Sequence, residues 1–198
     1  MSKTGLVVRP EVIPATTTVG IYFSEYFNVD RNVIEQYGAF NISLVRDLPL
    51  FIDPFLLFNS DNPEYRKLHD DIITYLHFLK DKSTTQTIDS GALKAWYTFK
   101  EVEQNWLGFS NIGNRGSGLG TDFAKALNEN LVKVFDTPGQ KQITQGSHLE
   151  KLCLIKDGVG RDNISDFTTN LIKGFLLEYT QTFARQYVSL EQRDTLWW

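Results

Sequence analysis

The stretch Asn163-Ile-Ser-Asp-Phe-Thr-Thr-Asn-Leu-Ile-Lys-Gly-Phe-Leu-Leu-Glu-Tyr-Thr-Gln-Thr-Phe-Ala-Arg-Gln-Tyr-Val188 decides the fold class. Ile164, Phe167, Leu171, Phe175, Tyr179, Phe183 and Tyr187 recur at three- and four-residue steps, so one apolar stripe runs the length of a helix. A strand would bury every second residue instead. The spacing predicts a helix from Asn163 to about Val188.

Upstream lies Asp157-Gly-Val-Gly-Arg-Asp-Asn-Ile-Ser-Asp166, a glycine-hinged acidic loop running into that helix. Gly158 and Gly160 give the backbone freedom, and Asp162, Asn163, Ser165 and Asp166 crowd oxygen around a helix start. Such a place holds a cation, positions a water or caps a helix.

Further upstream the same periodicity recurs. Tyr65, Leu68, Ile72, Tyr75, Leu76 and Leu79 predict a helix over 63–82, and Phe123, Ala124, Leu127, Leu131 and Val134 predict another with Thr121 as its N-cap. A helix is expected from Asp89-Ser90 through Trp96, and a short one from Asp30 to Tyr37, closed by Gly38. Between them, residues 40–58 are almost continuously apolar but carry Pro49 and Pro54, which forbid an uninterrupted helix. Asp53 is then a carboxylate in apolar company. A short strand is expected at Lys141 to Thr144, while 148–156 reads equally as helix or buried strand. The fold class expected is α+β and mainly helical, with a small sheet at most.

Composition sets wider bounds. The chain has 198 residues, 41% of them hydrophobic, which is enough for one domain with a real core. The expected organisation is an extended leader over 1–20 and a single globular domain over 21–190, incomplete at its C-terminus. A formal net charge of −4 argues against a whole-surface electrostatic grip on nucleic acid. The single cysteine, Cys153, excludes an internal disulfide and fits a reducing, cytoplasmic setting. No apolar run approaches the roughly 18 residues a membrane span needs.

Three constellations bear on chemistry. Asp162, Asp166, Asn170 and Lys173 follow helical spacing on the last helix, and oxygen-rich sets suit hard cations such as magnesium. With Asp53, Glu103 and His148 they would form a metal-dependent phosphodiesterase site. Asp162 and Asp166 hold the metal, and His148 or Lys173 assists proton or charge transfer. The competing reading makes Asp162 or Ser165 a cap and Asp166 a dipole partner.

The second constellation, Gly113-Asn-Arg-Gly-Ser-Gly-Leu-Gly-Thr121, precedes a helix and would cradle phosphate through Arg115, Gly116, Gly118 and Gly120. It lacks the lysine of a P-loop, so an NTP site fails that motif's own test. The third, Glu101-Val-Glu-Gln-Asn-Trp106, puts Glu101, Glu103 and Asn105 on one face if extended; the competing role is surface solvation.

Four segments carry a resemblance: Asp47 to Phe58, Gln104 to Phe109, Ser147 to Leu152, and Gly158 to Asn170. Together they resemble an uncharacterised family of longer bacterial proteins. That resemblance implies sequence continuing beyond the last helix, so that Leu196-Trp197-Trp198 ends an incomplete unit. It also implies accessory bacterial gene content, where antiviral defence and nuclease functions are common. The acidic-x-Lys strand of restriction-type nucleases is absent from these residues. Two further readings stand beside the nuclease. One is a non-catalytic interaction module in which Trp96, Trp106 and the aromatic C-terminus contact another protein chain. The other is a phosphate or nucleotide binder at the glycine-rich loop, with nucleic acid as a possible source of the phosphate.

Overall fold

A computed structural model of the protein describes residues 21–85, 87–100, 102, 105–108, 119–135 and 159–193. Seven α-helices are formed there: α1 (Phe23–Tyr26), α2 (Arg31–Tyr37), α3 (Pro54–Phe58), α4 (Pro63–Thr85), α5 (Ser90–Tyr97), α6 (Thr121–Phe135) and α7 (Arg161–Tyr187). A 3-10 turn, Leu190–Gln192, follows α7. The chain is mainly helical, and among the described residues extended pairing is confined to the isolated bridges Tyr22–Ser43, Leu48–Leu107 and Phe99–Leu119. The expected strand over 141–144 and the ambiguous segment 148–156 lie outside the described residues.

The contacts divide the chain into two compact units. In the first, which takes in Phe51–Val102 and Gly116–Ile172, α4 packs against α3 and α6, and α5 packs against α6. Of the periodic residues read from the sequence, Tyr65, Leu68 and Tyr75 are half-buried, while Ile72, Leu76 and Leu79 on α4 and Phe123, Ala124, Leu127 and Leu131 on α6 are buried. Each large side chain so buried contributes about 1.5–3 kcal/mol relative to exposure.

Helix α5 starts because the Asp89 carboxylate accepts the Ala92 N–H at 2.8 Å, satisfying one of the amides left unpaired at a helix start. It is tied to α4 by two tyrosines. The Tyr97 hydroxyl donates to the Leu79 carbonyl at 2.6 Å, and the Tyr75 hydroxyl donates to the Trp96 carbonyl at 2.7 Å. Beside them the half-exposed Phe78 and Trp96 rings meet edge to face at 5.3 Å, with the Lys82 ammonium 5.7 Å from each centroid. Helix α3 follows a less obvious signal. Pro54 occupies the first turn of α3, where a missing N–H costs nothing, and Asp53 caps that helix.

The second unit takes in Arg9–Leu50, Glu103–Arg115 and Lys173–Trp198. Its core gathers Val29, Ile34, Phe183 and Val188, with Phe23, Phe27 and Tyr37 packed around them. Asp30 caps α2 through the Asn32 N–H at 2.8 Å, and Gly38 ends it in the left-handed region at φ 88°. The Tyr37 and Tyr179 hydroxyls each donate to the other residue's carbonyl, at 3.1 and 2.8 Å, closing α2 onto the second half of α7. A Cβ added at Gly38 would lie 3.5 Å from the Tyr179 hydroxyl, an ordinary contact, so the cost of a side chain there is conformational. Gly38→Ala is therefore expected to lower stability by about 1–2 kcal/mol, read from the urea midpoint. An unchanged midpoint would show that α2 ends without the left-handed residue.

Candidate functional site

Helix α7 begins two residues before the point its apolar stripe marks. Ile164 donates its N–H to the Gly160 carbonyl at 3.1 Å, and the Asn163 side chain reaches back to accept the Gly160 N–H at 2.9 Å. Asn163 thereby does the capping expected of Asp162 or Ser165. It behaves as the return half of a capping box, with the amide oxygen standing in for a carboxylate.

That leaves Asp162 and Ser165 for other work. The Ser165 hydroxyl, buried at 3% exposure, accepts the Ile52 N–H at 2.9 Å, so the extended segment before α3 is fastened to the first turns of α7. One turn further, the Asn170 amide donates at 2.8 Å both to the Lys100 carbonyl and to the Asp166 carbonyl. Residues 164–169 are all buried, including Ser165, Asp166, Thr168 and Thr169. The Thr168 and Thr169 hydroxyls donate to the carbonyls of Ile164 and Ser165, each at 2.7 Å. Six consecutive buried residues take in every face of the helix, and within this stretch the two threonine hydroxyls are satisfied one turn back.

Asp162 lies two residues before this buried stretch. Its carboxyl is half-buried and forms no hydrogen bond with any described residue, and desolvation raises its pKa above the usual carboxylate value. Asp166, one turn on and in helical register with it, is 8% exposed.

Asp53 arrives through its backbone neighbour Ile52, yet its own Oδ1 accepts the Phe55 N–H at 2.9 Å and serves α3. Among the described residues no three His, Cys, Asp or Glu side chains are grouped to hold a metal ion. Lys173 is the first residue of α7 assigned to the second unit. Glu103, His148, Arg115, Gly116 and Gly118 lie outside the described residues. Gly120 is exposed with open space around it, and its carbonyl accepts the Ala124 N–H at 3.0 Å, so it occupies the capping position expected of Thr121. Leu119 and Phe99 exchange both backbone hydrogen bonds, at 3.0 and 2.6 Å, and this bridge holds the approach to α6.

A family comparison decides membership. The model of a domain of unknown function (DUF8370) matches residues 28–196. The chain belongs to that family. No curated protein and no solved structure matches it. For this DUF8370 member the chemistry must therefore be argued from its own residues.

A different kind of feature marks the second unit. Among the described residues the exposed large hydrophobics are Ile21, Tyr26, Phe40, Tyr187 and Leu190, all in the second unit, together with Phe55 in the first. The Gln192 side chain donates to the Tyr26 carbonyl at 2.9 Å and so sets the 3-10 turn bearing Leu190 against α1. Tyr26 stands edge-on to Phe27 at 4.9 Å, and Phe27 packs on the core, so the exposed ring is held from beneath.

By residue type the tryptophans are the expected contact residues for such a surface. Trp96 instead fills the corner with Phe78 and Lys82, and Trp106 is half-buried with its carbonyl accepting the Leu48 N–H at 2.9 Å. Trp197 and Trp198 lie outside the described residues. The signal that was available is Leu190, an apolar residue placed after the helical stripe had ended.

Proposed function

We propose that the protein is a helical interaction module that docks on another protein through its second unit. The observation that supports this is the concentration of exposed apolar side chains in that unit, with Leu190 at 78% and Tyr26 at 60% exposure on segments joined by the Gln192 hydrogen bond. Scattered single hydrophobics are normal on a surface, but rings and a leucine held together on a rigid base suit a contact. Tyr26 supplies a large amphipathic ring with few rotatable bonds, the type enriched at the centres of interfaces.

The test is a photo-crosslinking amino acid placed at position 190 in cells that carry the gene. A discrete protein adduct is expected, and Tyr26→Ser should abolish it while leaving the thermal midpoint in place. The same probe at Lys67, exposed on α4, should give no adduct. Absence of a discrete adduct at 190, or an adduct indifferent to Tyr26, would reject the module.

One observation supports a second reading, the magnesium-dependent phosphodiesterase of the expected defence setting. Asp162 is a half-buried carboxylate without a described hydrogen-bond partner, and such a group is stabilised by a bound cation. The sign of its pH dependence follows from the raised pKa. Asp162's contribution to stability is fully present below the unfolded carboxyl value and is lost as pH rises through the folded one. At neutral pH the ionised group therefore weighs against the fold.

Asp162→Asn removes that burden, so the variant should be the more stable at pH 7, with its advantage shrinking as the pH falls toward 4. Magnesium should raise the melting temperature of the wild type and not of the variant. No magnesium effect on the wild type, together with no cleavage of DNA or RNA, would sink this reading and leave the docking surface unaffected.

A further inference from the structure

We draw no further inference here: the strongest candidate, the corner in which the half-exposed Phe78 and Trp96 rings of α4 and α5 meet beside the Lys82 ammonium, is already filled by the chain's own cation, and nothing in the structure shows an outside ligand taking its place.

Discussion

Phe167→Ala is expected to cost about 3–5 kcal/mol, lowering the melting temperature by roughly 6–20 °C for a chain of this size. Phe167 is fully buried in the first half of α7, and its ring meets the Phe99 ring at 4.4 Å and 60°. Phe99 in turn lies 6.5 Å from Phe123 of α6 and 6.4 Å from Tyr75 of α4. One ring therefore links α7 to the bridge segment, and the bridge segment to two further helices. Truncation leaves a cavity that these neighbours, each held by its own contacts, cannot readily fill. Phe167→Leu keeps most of the volume and should lose markedly less, and urea unfolding of the two variants side by side measures the difference. A loss under about 1 kcal/mol for the alanine variant would mean that the ring is not in a packed interior.

The same residue shows why so much of the fold was legible. Of the seven residues on the stripe that the sequence displays, Ile164, Phe167 and Phe183 are buried, Leu171, Phe175 and Tyr179 are half-buried, and Tyr187 is exposed. Periodicity reports burial directly, because a helix turns its face toward the core every 3.6 residues whatever the partner is. Three of the caps were legible for a related reason. Asp30, Asp89 and Gly38 act on backbone within three residues of themselves, so their roles need no tertiary knowledge.

The short helices were harder. Helix α3 has five residues and lies in an apolar run where every position looks alike, and α1 has four. Neither is long enough to display a period. Pro54 does interrupt the apolar run, and it also opens a helix, because its lost N–H falls where none is needed.

The candidate site was legible in type and not in arrangement. Asp162, Asp166 and Asn170 do share a helix face just after Gly160, as spacing requires. Spacing could not tell that Asn163 would take the capping role, because an amide and a carboxylate at neighbouring positions compete for the same amides and backbone geometry selects one. Nor could it tell that Asp53 would serve its own helix while its neighbour Ile52 reached α7. That union joins residues 113 positions apart. Only the folded chain brings such groups together, and the Tyr26 to Gln192 contact is hidden from sequence for the same reason.

Ser165 and Thr168 provide the sharpest comparison within that site. Both are hydroxyls on the buried face of α7, at 3% and 0% exposure, and sequence gives no reason to rank them. The structure does. Ser165 accepts the amide of Ile52, itself 6% exposed, so Ser165→Ala strands an N–H in the interior. The expected loss is about 1–3 kcal/mol, the penalty of a buried donor without an acceptor. Thr168 only donates to the carbonyl of Ile164 one turn back, within its own helix.

Thr168→Val replaces that hydroxyl by a methyl of the same shape and strands no donor, and threonine and valine have similar helix propensities. It is expected to leave stability within about 1 kcal/mol of the wild type, or to raise it. Hydrogen exchange separates the two further: the Ile52 amide should lose protection in Ser165→Ala and keep it in Thr168→Val. Equal losses in the two variants, or a protected Ile52 amide without Ser165, would mean that the segment before α3 is fastened to α7 by something other than this hydroxyl.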